Sequence, residues 1–331
     1  MSSFIPIFDR VFCLRPNPRS VFRWYGISSN IILIEGEEGF TFVDSGGISS
    51  RRQLLKACMQ IELGKKGLIS CIHTHGHIDH CGGDFLLLRR FQTRFWAADE
   101  AVPYIKSGSP LLFAYEKEFI ITTLPELFTA PEWFIKIMTP LFLGQNHPVS
   151  SLEILQPDTD PTITGFHPVT LPGHHSGHMG FFNKQTKVLI AGDLIDPRYG
   201  MKPLLTSPSS DFKAMNESLD VVNKLSPKIL IPGHGEPLIG TLVVKEAIKR
   251  AKNILDHAYH GVLEALSHES RTLAQLSTEL RGYSLGPGDI HRRIFIHSIL
   301  RYLLSQEKIC KESSHPRKTK FFLNNGKSAN R

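Results

Sequence analysis

Long apolar runs are missing from this 331-residue chain. None reaches the roughly 18–20 residues that a helix needs to cross a bilayer, so no membrane span is expected. The opening stretch, MSSFIPIFDRVF, lacks a basic start followed by an apolar core and does not read as a secretory signal. Cysteine is sparse: Cys13, Cys58, Cys71, Cys81 and Cys310 are odd in number, scattered, and form no C-x-x-C pair. This pattern points to reduced thiols and a cytoplasmic setting rather than a disulfide scaffold. A G-x-S-x-G turn is absent too, which argues against a serine nucleophile. Internal repeats and low-complexity tracts do not occur ahead of a Lys/Ser/Asn-rich tail.

What is present is ordinary in amount and uneven in place. The hydrophobic fraction of 41% and charged fraction of 21% suit a globular protein with a sizeable core. The net charge is +7, and most of it lies at one end. From Ala251 to Arg331 there are 13 Lys/Arg against 7 Asp/Glu, a net of +6; the first 250 residues hold the other 25 and 24, a net of +1. An anionic partner is therefore to be sought in the last quarter.

Ser29–Gly47 carries two β-rich runs around Gly36-Glu37-Glu38-Gly39, a hairpin signal. Leu54, Leu55, Cys58 and Ile61 then recur at helical spacing. Leu68–Ile72 reads as a buried strand, and strands are expected again at Arg94–Ala98, His167–Leu171, Met179–Phe182, Lys187–Ala191 and Lys228–Ile231. A long amphipathic helix is expected from Leu242 to His268. Strand–helix units with hairpins, occurring twice, suit an α/β architecture of two sheets between helices. The length suggests two domains, drawn at 1–250 and 251–331. Within the first, residues 103–161 read as a helical insertion. Its aromatics (Phe113, Tyr115, Phe119, Phe128, Trp133, Phe134, Phe142) suit either a lid over the site or a packed subdomain or dimer face.

Directly after the Leu68–Ile72 strand stands His75-Gly76-His77-Ile78-Asp79-His80. Neutral imidazoles and carboxylates are the donors that divalent zinc accepts in catalytic sites, and four within six residues can turn toward one centre. Lone histidines without such company, His73, His147 and His167, read as structural, and Cys81 as a small packing residue.

THGHIDH resembles the T-H-x-H-x-D-H signature of the metallo-β-lactamase superfamily. VDSG at Val43–Gly46, LPGHHSGH at Leu171–His178, AGDLI at Ala191–Ile195 and PGHG at Pro232–Gly235 resemble its other motifs in their order, so the likeness spans about residues 10–240. The resemblance implies an αββα sandwich and two metal ions per chain, zinc first, with iron or manganese as alternatives. One ion would be held by His75, His77 and His174, the second by Asp79, His80 and His234, with Asp193 between them. His174 is chosen over His175 and His178 because it follows Pro172-Gly173; His178 is read as a supporting residue. Asp44 resembles the carboxylate that orients the ligands. Asp44 and Asp79 are the catalytic candidates, Asp79 by orienting a hydroxide shared by the ions and by passing a proton to the leaving group.

The implied substrate is small and ester-like, a thioester or lactone. Asp193 stands where common zinc β-lactamases carry cysteine, which argues against penicillin hydrolysis. His77 stands where flavodiiron relatives carry glutamate, which argues against redox chemistry. DLIDPRYGMKP does not match the glutathione contacts of glyoxalase II relatives, and Arg198 and Tyr199 read equally as substrate contacts or ordinary loop residues. Two alternatives stay open: a metal-dependent endoribonuclease or phosphodiesterase, and a metal-retaining regulatory protein with little turnover.

The last quarter bears on the first alternative. Asp256–His268, Thr272–Leu280 and Pro287–Glu307 read as helices, with the turn SLGPGD ahead of the third and a short strand at Phe321–Leu323. This resembles a winged-helix module, and a similar tail follows the hydrolase domain in relatives that cleave single-stranded RNA. Arg292, Arg293, Arg301, Lys308, Arg317, Lys318 and Lys320 would then meet phosphates. Equally, Ile294, Ile296, Ile299, Leu300 and Leu303 pack the third helix and its arginines form a solvated face, so that the module only braces the site or a homodimer.

Overall fold

The computed structural model describes residues 3–16, 28–37, 39–63, 67–107, 149, 151–155, 165–207, 209–283, 289–313 and 319–324. The aromatic residues of the expected lid, His147, the SLGPGD turn up to its Asp289, and Arg317 and Lys318 lie outside these residues.

The first sheet has seven strands in sequence order: β1 (Ile5–Phe8), β2 (Val11–Leu14), β3 (Ile31–Glu35), β4 (Gly39–Val43), β5 (Leu68–Ile72), β6 (Arg94–Ala97) and β7 (Glu153–Ile154). Strands β1 to β4 form an antiparallel meander, and β4 to β7 run parallel. The hairpin between β3 and β4 closes with Gly36 N–H donating to the Gly39 carbonyl at 2.8 Å. Both faces of β3 and β4 are apolar because both are covered. Ile31, Leu33, Phe40 and Phe42 face outward onto the helices α1 (Arg51–Gln60) and α3 (Asp84–Phe91); Ile32, Ile34 and Val43 face the other sheet. Between those helices lies the single turn α2 (Ile78–Cys81), and α4 (Val102–Ser107) follows β6. At the described end of the expected helical insertion, Glu153 and Ile154 pair with Trp96 and Ala97. This two-residue edge strand is exposed on both faces and carries no periodic signal in the sequence.

The second sheet has the order β14–β13–β10–β9–β8. Its strands are β8 (Phe166–Thr170), β9 (Met179–Asn183), β10 (Val188–Gly192), β13 (Ile229–Pro232) and β14 (Leu238–Ile239), while β11 (Ile195–Asp196) and β12 (Lys202–Pro203) form a small separate hairpin. Phe181, Val188, Ile190 and Ile231 pack against the first sheet. Phe182, Leu189 and Leu230 pack on the opposite side against α5 (Phe212–Leu225) and α6 (Thr241–His268). The layers are thus helix, sheet, sheet, helix.

Helix α6 runs unbroken through residue 250. Val244, Ala247, Ile248, Ala251, Leu255, Ala258, Val262 and Leu266 hold one buried stripe along it at three- and four-residue spacing. After it come β15 (Arg271–Thr272), α7 (Leu273–Glu279), α8 (Asp289–Ser305), β16 (Ile309–Glu312) and β17 (Lys320–Leu323). The strands pair antiparallel in the order β15–β17–β16. Thr272 caps α7 in a reciprocal capping box with Gln275. On α8, Ile294, Phe295, Ile296, Ser298, Ile299, Leu300 and Leu303 are all buried, an arc of roughly two-thirds of a helix's circumference. Its core joins that of the second sheet without a seam, and Tyr302 packs on Phe212 of α5. Among the described residues, no helix is long and apolar enough to cross a membrane.

Candidate metal centre

The C-terminal ends of four strands meet along one rim. Asp44 follows β4, His75 to His80 follow β5, Asp193 follows β10 and His234 follows β13. Backbone bonds stitch the rim: Asn30 N–H to the Gly233 carbonyl (2.6 Å) and Met179 N–H to the Thr74 carbonyl (2.8 Å) cross between the sheets, and Ser29 N–H to the Asp79 carbonyl (3.0 Å) ties the first sheet's own loops. Asn30 Nδ2 also donates to the carbonyls of Pro232 and Gly235, which fixes the loop that carries His234. His174 sits in the loop between β8 and β9. Helix α5 clamps that loop through Ser218 Oγ on the Pro172 carbonyl (2.6 Å), and Ser210 Oγ just before it holds the His174 carbonyl (2.8 Å).

Two local devices let the donors approach. Asp44 takes a left-handed backbone, φ 61°, uncommon for a residue with a side chain, and so turns its carboxylate back under the rim. Gly233 has no room for a side chain: a Cβ there would stand 2.1 Å from Asp193 Oδ1 and 2.9 Å from His80 Cε1.

The seven predicted donors converge in two groups. His174 Nε2 lies 3.2 Å from His75 Nε2, 3.1 Å from His77 Nδ1 and 3.4 Å from Asp193 Oδ2. His234 Nε2 lies 3.2 Å from Asp79 Oδ2 and 3.5 Å from Asp193 Oδ2, and His80 Nε2 lies 3.3 Å from Asp193 Oδ1. Ligands at zinc distances of about 2.0–2.2 Å on a tetrahedron stand roughly 3.3–3.6 Å apart, close to these separations, so the spacing suits an ion at each centre.

The hydrogen atoms agree. His174 Nδ1–H donates to the Leu204 carbonyl at 2.5 Å, and Thr74 Oγ1 and Asp44 Oδ2 occupy the Nδ1 atoms of His75 (3.0 Å) and His80 (2.7 Å). With Nδ1 so occupied, His174 and His75 turn Nε2 lone pairs toward each other, while His80 turns its Nε2 toward Asp193. Lone pairs facing one another at 3.1–3.2 Å repel unless a cation sits between them. His80 Nε2 and Asp193 Oδ1 are buried and have no hydrogen-bond partner among the described residues.

The electrostatics divide the two groups. Burial, with neighbouring imidazoles adding to it, lowers His75 and His77 well below the usual histidine range. Burial brings His174 down to about 3. These rings are neutral and ready to donate. On the other side burial opposes protonation, but Asp193 and then its fellow carboxylates outweigh it, raising His80 well above its ordinary value and His234 to about 9. Asp193 is held well below the carboxylate range, since His234 and His80 outweigh the burial that works the other way. Metal binding on this side must displace protons.

The flanking histidines have other duties. His178 Nδ1–H donates to the Leu171 carbonyl (2.7 Å) and its Nε2 accepts from Asp193 N–H (2.9 Å), so it struts the loop that presents Asp193. His175 lies beside His77 and Tyr104, with ring centroids 4.6 and 4.2 Å away. Cys81 is buried, its Sγ on the His77 carbonyl at 3.2 Å, and His167 is exposed on β8. Arg198 forks onto Asp196 and packs beside Gly235, the residue after His234. His73 stands between Asp44 and Asp84 and belongs to the site's support. Neither Asp84 nor the Leu204 carbonyl carries a motif signal; the Gly82-Gly83-Asp84 step after His80 is the one clue to the former.

The metallo-beta-lactamase superfamily model matches residues 24–234. Over 213 residues the chain is 24% identical to the hydroxyacylglutathione hydrolase GloC of Haemophilus influenzae, covering 62% of this chain and 84% of that protein. Over 271 residues it is 24% identical to the acyl-coenzyme A thioesterase MBLAC2 of Homo sapiens, covering 79% and 91%. A metallo-beta-lactamase family protein of Thermus thermophilus matches with a TM-score of 0.70 at 19% identity, covering 96% of this chain and all of that one. A beta-lactamase domain protein of Burkholderia ambifaria matches at 0.73 and 17%, covering 97% and 93%. The structural likeness is one of fold and extends over the last quarter. Since the family match takes in most of both sheets and every donor from His75 to His234, the chain belongs to the metallo-beta-lactamase superfamily and is a metal-dependent hydrolase.

Proposed function

We propose that this protein hydrolyses an acyl thioester with two zinc ions, one held by His75, His77 and His174 and the other by Asp79, His80 and His234. The observation that carries the two-ion reading is Asp193. Its Oδ1 faces His80 and its Oδ2 faces His174 and His234, so one carboxylate is shared by both donor groups. Bound there, the ions supply a water that ionises near neutral pH and a Lewis acid for the scissile carbonyl. Asp79 engages His234 through Oδ2; its second oxygen is assigned to orient the attacking water and carry its proton toward the leaving group. Asp44 holds the tautomer of His80.

Thioester is preferred to lactone on two grounds. An acylglutathione and an acyl-coenzyme A are both acyl thioesters, and those are the substrates in the names of the two relatives above. A thiol leaving group, with a pKa near about 8.5, also departs with less help from a proton than an alkoxide needs. The order helix, strand, helix, helix, strand, strand after Thr241 supports a winged-helix reading of the last quarter. Its third helix is packed into the shared core, so we assign this module to bracing α5 and α6 rather than to reading RNA.

Elemental analysis of dialysed protein together with a panel of acyl thioester, lactone and phosphodiester tests the proposal. Two equivalents of zinc and chelator-sensitive thioester turnover above the other two classes are expected. Phosphodiester cleavage as the dominant activity, or no bound metal in an active preparation, overturns it.

A further inference from the structure

Behind the rim two buried side chains that no motif predicts, His73 and Asp84, join the motif residues. Asp84 opens α3; its Oδ1 accepts from Ser45 Oγ at 2.6 Å and its Oδ2 lies 3.0 Å from His73 Nε2. His73 Nδ1 faces Asp44 Oδ1 at 3.7 Å. Asp44 Oδ1 also accepts from Thr74 N–H at 2.8 Å, and its Oδ2 meets His80 Nδ1 at 2.7 Å and Thr74 Oγ1 at 2.8 Å. Thr74 Oγ1 passes the contact to His75 Nδ1 at 3.0 Å. Asp44, His73, Thr74, His75, His80 and Asp84 are each no more than 3% exposed.

From this geometry we infer that the close contact between Asp84 and His73 is the positioning element of the metal centre. It fixes the Asp44 carboxylate, which in turn sets the ring of His80 directly and that of His75 through Thr74. Asp44 needs such a back-stop. Its backbone is left-handed, its carboxylate is dry, and among the described residues the Oδ1 side meets the Thr74 N–H and the His73 ring. His73 is itself held in place: Phe95 stacks parallel to its ring with centroids 6.1 Å apart and planes at 6°, and its backbone N–H donates to the Trp96 carbonyl. Asp84 adds a second hold, because the Ser45 that binds it also donates its backbone N–H to the His80 carbonyl at 2.7 Å. One buried pair therefore reaches a ligand of each ion. Outer-shell partners of this kind are worth about 10–100-fold in metal affinity.

The same corner has a rival reading. Cys71, His73 and Asp84 place one donor atom each within 4.8 Å of one another and could hold a third ion. Burial pushes the Cys71 thiol well above its ordinary value, with Asp84 and Asp44 adding to it, so the thiolate that a metal needs is opposed.

The inference rests on the metal-site reading above but not on the substrate. The test is chelator competition on zinc- and cobalt-loaded full-length protein, with the cobalt absorption spectrum as a readout of ligand geometry, for His73→Gln, Asp84→Asn, their double variant and Cys71→Ser. The expected result is metal retention weakened about 10–100-fold and a shifted cobalt spectrum in His73→Gln and Asp84→Asn, with the double variant no worse than either. Cys71→Ser should match the parent in both. Should His73→Gln fail to fold, Asp84→Asn breaks the same link with a side chain of equal size. Folded Asp84→Asn protein with parental affinity and spectrum overturns the inference. So does loss of one metal equivalent from a parent holding three in every variant, Cys71→Ser included, which would mark a third site. If the parent binds two ions and these affinities shift, yet no thioester is turned over, only the substrate reading fails.

Discussion

The rim of the metal centre and the core beneath the last three helices are equally dry and are filled with opposite material. At the rim, Asp44, His73, Thr74, His75, His80, Asp84, His174, His178, Asp193 and His234 are all buried. Beyond Ala251, the buried polar side chains among the described residues are Ser277 and Ser298; the rest are Leu, Ile, Val, Phe and Ala. Burial of a polar group costs free energy unless a partner satisfies it, whereas burial of an apolar one contributes. The rim is thus a place where the fold holds groups it would otherwise expel, and the apolar core under α6 and α8 offsets part of that cost. Activity and stability should separate along this line.

Asp193→Ala is the largest test of that separation. It removes the one carboxylate shared by the two donor groups, and turnover should fall by about 10²–10³ or more, as when a charge-stabilising group is lost from a hydrolase site. Metal content should fall with it, and the metal-free chain should also lose stability, because Asp193 partners the buried His80 and His234. Steady-state kinetics and elemental analysis on one preparation check this, and kinetics equal to the parent would mean that the site lies elsewhere.

Leu300→Ala is the mirror experiment. Leu300 is fully buried on α8 in the core shared with the second sheet. Its loss should cost about 2–5 kcal/mol by denaturant titration, with kcat per folded molecule retained. Parental stability would mean that the last quarter folds apart from the hydrolase sheets. A proportionate loss of kcat at low temperature would mean that α8 acts on the site and not only on the fold.

Much of the rim was legible in the sequence because its donors are of unusual chemical type and lie in short motifs at strand ends. His75 to His80 are neighbours in the chain, and the others each follow a recognisable strand. The convergence of all seven in space is what the structure adds. What stayed hidden depends on approach between distant segments. His73 reads as an isolated histidine until β5 is laid beside β4 and α3, when Asp44 and Asp84 close on it from opposite sides. The Leu204 carbonyl that sets the His174 tautomer is a backbone atom 30 residues away and has no sequence signature. The last quarter was readable for the opposite reason. Apolar periodicity gave its helices to within a few residues, but periodicity says which faces are apolar and not what covers them. Ile294, Ile296, Ile299, Leu300 and Leu303 suited an isolated module as well as the core they share with Leu189 and Leu230.

That ambiguity leads to the smallest expected effect, on nucleic acid. Seven basic residues were candidates for phosphate contacts, and if all engaged single-stranded RNA, log affinity would fall with log salt at a slope of roughly −5, about −0.7 for each phosphate. The described members of the set have other commitments. Arg292 Nε donates to Ser277 Oγ at 3.1 Å, and Lys308 Nζ donates to Tyr259 OH at 2.6 Å and stands over that ring. Arg292 and Arg293 are half-buried, while Arg301 and Lys320 are exposed on α8 and β17, a helix and a strand apart. With Arg292 and Lys308 engaged within the fold, a slope shallower than about −5 is therefore expected for the full chain. The control is Arg301→Glu with Lys320→Glu in the full-length protein, because a truncation after His268 would uncover Leu255, Val262 and Leu266 on α6 and confound charge with unfolding. Binding measured at several salt concentrations for parent and variant decides it. A steep slope that the two reversals flatten would turn the last quarter from a brace into an RNA-binding face, and with it the substrate reading toward a nuclease.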